Sequence, residues 1–467
     1  MIFLFLCFTI LIYAIYQYNS GKKDKSTFVF FLFLCDGFGF FHSDWLSGMP
    51  INKYRDFALL YMIYVATSQW YNSKKIIIPK FPIYKWLSIL TIYLTAEFVF
   101  TVSTGKESFG LSLAVYRNYL FFFSFTLFRE LKSQQLRNVI VKVSFMTLIA
   151  AFVYITQPLH QLKILDGATS GEIVEGVGVR YRNIPELLYF ILIYVTVRLN
   201  FSKLKSVVLI SLCGMCLVLS QHRGVMLGYA VTILIFLLLS RDAKKTIQYV
   251  LISIVGFFAV GSMVISRFEN KGQISTMDDI ANVFDMDYSR AAAGGYDDEG
   301  GTLAFRILLF VERFDYFKKH PQYMLTGVGM RHEDSPRTKE EFNFVLGSRK
   351  LNQQTGYWVP QQIDSDDLVW FTPFMKFGTI GLFLYLYITF LTVTYLLRNR
   401  NNGTLAKVIF LYYVMLMIIS MKNNMLFAPI QISFLLMLIE LMKRTNSQLL
   451  IDKIKYQEFK LLGKKVI

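Results

Sequence analysis

The feature that most constrains this chain is its division into long apolar runs separated by short basic clusters. A helix in a soluble protein keeps one face in water, so its apolar residues recur every three or four positions. A run of about 15 to 25 apolar residues leaves no such face and belongs in a bilayer. Of the 467 residues, 54% are hydrophobic and 17% charged, and the mean hydropathy is +0.43. A soluble surface cannot be built from that composition. It excludes a cytosolic enzyme, a DNA-binding protein and a secreted domain. The net charge of +17 would suggest nucleic acid for a soluble protein, but here the Lys and Arg flank the apolar runs, where they set orientation. No nucleic-acid partner is expected.

Thirteen segments have the length and composition of spans, with room for twelve to fourteen, so the predicted fold class is an all-α polytopic membrane protein. They include Thr27 to Phe41, Leu187 to Val197, Ile247 to Ser266, Phe377 to Leu397 and Leu426 to Met442. The connections on one side hold 27 Lys and Arg and the short connections on the other hold 8, the long loop 267–366 being set apart with 12 basic and 16 acidic residues, which makes the first side cytoplasmic. The N-terminus then starts outside and the C-terminus ends inside. The expected organisation is an N-terminal bundle of about ten spans over 1–266, a large, partly helical outer loop over 267–366, about three spans over 367–442 and a basic cytoplasmic tail over 443–467. The first segment lacks a basic leader and a small-residue cleavage site, and reads as an uncleaved span. Cys213 and Cys216 form a C-x-x-C on one helix face and read as small packing residues rather than a redox or metal pair.

Polar groups that are costly in a membrane carry the functional information. Arg117 lies one turn inside the outer end of the fifth span, Arg223 opens the ninth span in Gln221-His222-Arg223-Gly224, and Arg180 and Arg182 precede the seventh. All four fall near the outer interface. One such arginine could simply reach a lipid headgroup; four from three segments point to an anion site, because the planar guanidinium binds phosphate oxygens in pairs. In the long loop, Leu303 to Lys319 has helical apolar spacing with Arg306 on its first turn, and Pro321 ends it. Leu325-Thr326-Gly327-Val328-Gly329-Met330 follows, where Gly327 and Gly329 suggest a tight turn whose backbone comes close to the substrate. His332 comes next. Asp366 and Asp367 precede the eleventh span and must either stay in water or face the arginines. Asp285-x-Asp287-x-Ser289 resembles a calcium loop but lacks its glycine and glutamate, so no metal site is expected.

These motifs resemble the O-antigen polymerase and O-antigen ligase superfamily. Gln221-His222-Arg223-Gly224 is similar to its S-R-G element, Arg306 to Met330 to its R…N-P-x-x-G-x-G run, and Asp367 to Gly381 to the element closing its periplasmic loop. The resemblance implies a protein of the bacterial inner membrane with the large loop in the periplasm. It implies a glycosyltransferase that uses a polyprenyl-pyrophosphate-linked oligosaccharide and needs no cofactor. Arg117, Arg180, Arg182, Arg223 and Arg306 would hold the pyrophosphate. Asp367, or failing it His332, would accept the proton of the acceptor hydroxyl. The ligase branch carries histidine at the position of Asp367, so the departure favours a repeat-unit polymerase over a ligase acting on lipid A core. A flippase for lipid-linked sugars is a third reading, and the chain lacks the internal repeat expected of one. Partners would be the lipid-linked oligosaccharide, membrane lipid and a chain-length regulator protein.

Overall fold

The computed structural model describes residues 2–47, 51–73, 79–160, 164–166, 172–174, 178–180, 184–199, 203–220, 222–240, 301–347, 349–351, 358–365, 370–421 and 425–461. The helices of the first half are α1 (Ile2–Asn19), α2 (Lys23–Leu34), α3 (Tyr54–Ser73), α4 (Pro82–Ser103), α5 (Phe109–Tyr119), α6 (Phe125–Phe128), α7 (Ser133–His160), α8 (Leu188–Val197), α9 (Leu204–Ser220) and α10 (Arg223–Ser240). Then follow α11 (Gly301–Lys319), α12 (Gln322–Thr326), α13 (Pro336–Glu341), α14 (Phe371–Asn399), α15 (Thr404–Ser420) and α16 (Pro429–Leu461). The expected all-α class holds, with one small addition. Two antiparallel ladders pair β1 (Glu172–Val174) with β2 (Gly178–Arg180), and β3 (Arg349–Leu351) with β4 (Trp358–Pro360).

The expected count of about thirteen spans is met only in part among the described residues. Five helical stretches are long and apolar enough to cross a membrane: Ile2–Asn19, Pro82–Ser103, Phe109–Phe128, Ser133–Gln157 and Phe371–Asn399. Leu188–Val197, Leu204–Ser220, Gly224–Leu239 and Thr404–Ser420 are shorter apolar helices. About thirteen full-length spans are therefore not reached among the described residues, and the tenth expected segment, Ile247 to Ser266, lies outside them. Rise per residue gives the reason. The 10 residues of α8 and the 12 of α2 extend only about 15 and 18 Å, short of a hydrocarbon core of about 30 Å. The expected segment from Thr27 to Phe41 breaks at Leu34 because Asp36, Gly37, Phe38 and Gly39 all take positive φ in a tight turn.

The two ends of the bundle are tied by different contacts. At one end Lys23 pairs with Glu130 at 2.5 Å, Lys142 with Asp24 at 3.0 Å, and the Arg444 guanidinium donates to the Arg129 carbonyl at 2.6 Å. These join three of the segments whose basic residues were expected on one side of the membrane, 22–25, 129–142 and the tail from Lys443. At the opposite end the Asp166 N–H donates to the Gly39 carbonyl at 2.7 Å, and the Met330 N–H donates to the Thr101 hydroxyl at 3.0 Å.

The apolar residues form two cores. The larger fills the bundle and includes Phe30, Phe31, Phe57, Leu87, Phe122, Tyr385, Tyr412 and Phe434. The smaller joins Leu308, Leu309 and Phe317 of α11 to Val328, Phe342, Phe344, Ile363, Phe371, Phe374 and Met375. Arg313 crosses it fully buried, with Glu312 as ion-pair partner, the Gln361 carbonyl as acceptor at 3.0 Å and the Phe344 and Phe371 rings against its guanidinium. The boundary between the cores falls inside α14: Met375 lies in the small core and Phe377 in the large one. Gly378 breaks the helix just after it, at φ 60° and ψ −158°.

Candidate functional site

A cavity of about 670 Å³ opens at this boundary, within the usual range for a small-molecule site. Six separate stretches line it. Lys53 and Arg55 come from the start of α3, Arg117 and Asn118 from the end of α5, and His332, Glu333 and Asp334 from the turn after the glycine run. Asp364 and Ser365 come from the loop after β4, Thr372 and Lys376 from the first two turns of α14, and Phe427 and Pro429 from the approach to α16.

Four cations, Lys53, Arg55, Arg117 and Lys376, share the lining with three carboxylates, Glu333, Asp334 and Asp364. The Arg117 guanidinium donates from Nη1 to Asp56 Oδ2 at 2.7 Å, while its buried Nε has no hydrogen-bond partner. Burial, with the Arg55 and Arg117 guanidiniums beside it, holds the Lys53 ammonium below the usual lysine range. Lys376 is 3% exposed and reaches Asp364 Oδ1 at 2.7 Å. The carboxylates are differently engaged. Glu333 accepts the backbone N–H groups of Gln362, Ile363 and Asp364 at 2.6, 2.8 and 2.9 Å, which folds that loop along the cavity. Burial, together with the Asp364 charge, pushes the Glu333 carboxyl above its ordinary value against the pull of those three donors. His332 Nδ1 accepts the Asp334 N–H at 3.1 Å, and its own backbone N–H points to Glu107 Oε2 at 3.5 Å.

The glycine run sets the position of Lys376. Gly327 has φ +70°, and a Cβ there would lie 2.5 Å from the Lys376 carbonyl carbon and from the Phe377 nitrogen. From the other side, a Cβ on Gly378 would lie 2.4 Å from the Leu325 carbonyl. Only two glycines allow backbones to cross this closely. The contact is then held by Val328 N–H to the Met375 carbonyl and Gly329 N–H to the Lys376 carbonyl, both at 2.9 Å. The segment approached by Gly327 and Gly329 is therefore the start of α14, and neither glycine lines the cavity.

Of the residues singled out in the sequence, Arg117 and His332 meet in this cavity. Arg306, on the second turn of α11, does not line it; the buried face of that helix, Leu308 and Leu309, is committed to the small core. Arg180 stands opposite Glu172 in the β1–β2 ladder and Arg223 opens α10; neither side chain is among the described groups. Arg182 and Asp367 lie outside the described residues, as does the segment Asp285 to Ser289. Lys53, Arg55, Lys376 and Asp364 were not singled out. Lys376 carries a signal: it is a lone cation in Phe371-Thr372-Pro373-Phe374-Met375-Lys376-Phe377, where an unpaired ammonium would be costly. Lys53 and Arg55 look like ordinary loop charges until the fold brings them to Arg117.

Residues 207–386 match the model of the O-antigen ligase family. No curated protein matches the chain. The matched segment supplies His332, Glu333, Asp364 and Lys376 to the cavity, and Lys53, Arg55 and Arg117 come from outside it. The apolar helices describe a multi-pass membrane protein, part of which is similar to the O-antigen ligase family. Chemically, a water-accessible pocket with two guanidiniums and two ammoniums suits an anion with several oxygens, such as a diphosphate.

Proposed function

We propose that the protein is a membrane glycosyltransferase that polymerises polyprenyl-pyrophosphate-linked oligosaccharide repeat units on the periplasmic face of the inner membrane. The observation that carries this reading is the convergence of Lys53, Arg55, Arg117 and Lys376 on one cavity at the end of the bundle opposite the Lys23–Glu130 and Lys142–Asp24 pairs. A donor used outside the cytoplasm must arrive already activated, and a lipid-linked diphosphate sugar meets that need. As the anomeric carbon–oxygen bond breaks, negative charge grows on the diphosphate. Cations already in place stabilise it more in the transition state than in the ground state. Arg117, with an Nε–H to spare, is well suited to take a share of that charge. His332 on the cavity wall is a candidate acceptor for the proton of the incoming hydroxyl, alongside Asp367. Arg180, Arg182 and Arg223 remain proposed diphosphate ligands of the full site, Arg306 does not, and a chain-length regulator remains a proposed partner.

The test is genetic and chemical together. Cells carrying Arg117→Ala or Arg223→Ala are expected to lose long-chain polysaccharide and accumulate single lipid-linked units, read by gel profile and mass spectrometry of the lipid carrier. A normal chain-length distribution in both would count against the reading. Polymer retained on the carrier but missing from the cell surface would point to the ligase alternative. Chain growth in membranes supplied with lipid-linked unit on the outer leaflet separates enzyme from flippase.

A further inference from the structure

Lys376 is an expensive group where it stands. It sits in a segment whose neighbours Phe371, Phe374, Met375 and Phe377 are all buried, and a buried ion pair generally adds little stability over an apolar residue of the same shape. Stability therefore gives no reason for it. The fold nevertheless fixes it with unusual care: the Gly327–Gly378 crossing and the Gly329 N–H on its own carbonyl leave its backbone no freedom. Its present partner is the more replaceable of the two. Asp364 is 31% exposed against 3% for Lys376, and lies on a loop whose backbone is held by Glu333 rather than by the ion pair. Glu333 cannot take over the ammonium easily, because its oxygens already receive three backbone N–H groups. Arg117 repeats the pattern, with Asp56 on one nitrogen and Nε unfilled.

We propose that Lys376 is a diphosphate-binding group of this cavity, and that Asp364 is its internal counter-anion, which the diphosphate displaces. The inference rests on the anion-site reading of the cavity given above, and adds to it a residue and a competition. In the free protein the carboxylate keeps a desolvated ammonium compensated. When a diphosphate enters, its oxygens replace Asp364 on Nζ and the carboxylate turns to water. The apparent affinity is then lowered by the fraction of time that Asp364 holds the site.

The experiment uses the full chain in phosphatidylcholine nanodiscs, with inorganic pyrophosphate and farnesyl diphosphate as probes, titrated by calorimetry. Lys376→Met is expected to weaken binding roughly tenfold to a hundredfold, as loss of one charged hydrogen bond would. Asp364→Asn keeps the shape, removes the competitor and is expected to tighten binding several-fold. Unchanged binding in Lys376→Met, or weaker binding in a folded Asp364→Asn, would overturn the proposal. Asp364→Lys combined with Lys376→Asp restores an ion pair with its charges exchanged. If the pair were only structural, this double variant would bind like the wild type; the proposal expects its melting temperature to recover and its diphosphate binding to stay lost. Competition of phosphatidylglycerol in the disc with pyrophosphate would reassign the site to membrane headgroups and overturn the diphosphate assignment. Chain growth in the Arg117 variant tests the polymerase reading independently, so either can fail while the other stands.

Discussion

Lys53 stands in the company of two guanidiniums, and that sets the sign of a pH effect. Burial and the neighbouring Arg55 and Arg117 lower its pKa, against the opposing pull of Asp56 and Asp36. A bound diphosphate favours the charged form and so raises that pKa again. Binding must then take up protons as pH approaches the lowered value, and affinity must fall with rising pH earlier than an ordinary lysine would allow. Pyrophosphate titrations from neutral pH upward are expected to show this decline in the wild type. Lys53→Arg is expected to flatten it, because a guanidinium does not lose its proton in that range. A profile as steep in Lys53→Arg as in the wild type would assign the effect to another group.

The crossing of the glycine run with the break in α14 shows how one element places a side chain that belongs to another. Val328 and Met375 lie in the small core, while Met330 and Phe377 lie in the large one, so both chains change core at the same point. Gly327→Ala would put a Cβ against backbone atoms at 2.5 Å, in a left-handed conformation, with no flexible neighbour to yield. It is expected to cost more than about 1 kcal/mol and to lower diphosphate binding by misplacing Lys376. Gly214, in the middle of α9 with nothing near its absent Cβ, is the matched control: Gly214→Ala is expected to raise stability by roughly 0.5–1 kcal/mol. Thermal melts of the solubilised protein measure both, and a loss in the control as large as in Gly327→Ala would remove the argument from close backbone approach. The motif was visible in the sequence as two glycines around one valine. Which segment it meets was not, because the partner lies some fifty residues away along the chain and has no glycine-rich signature beyond Gly378 and Gly381.

At the scale of the molecule, the pairing of Lys23 with Glu130 and of Lys142 with Asp24 at one end, and the cavity at the other, describe a protein with two chemically distinct faces. The four cysteines are buried, so an impermeant maleimide reads only a cysteine that is introduced. Lys339→Cys on α13 and Asn402→Cys between α14 and α15 are exposed positions at the opposite ends. In intact spheroplasts the first is expected to label, and the second only after permeabilisation. Labelling of both from the same side would overturn the proposed orientation, and with it a periplasmic active site.

Several properties of this protein were decided by composition and spacing alone. Apolar run length forces helices into a bilayer whatever their neighbours, and Lys and Arg beside the runs sort the ends, because both effects depend on transfer from water to lipid and not on contacts. The same counting placed Arg117 and His332 near one end of the bundle, and both line the cavity there. Tertiary structure decided the rest. Helices too short to span, such as α2 and α8, are tolerated only because their faces are covered by others, with Phe30, Phe31 and Phe190 buried against the bundle. Lys53, Arg55, Arg117 and Lys376 come together from stretches up to about 320 residues apart. No local pattern encodes that meeting, since it arises where two apolar cores abut and leave a polar seam between them.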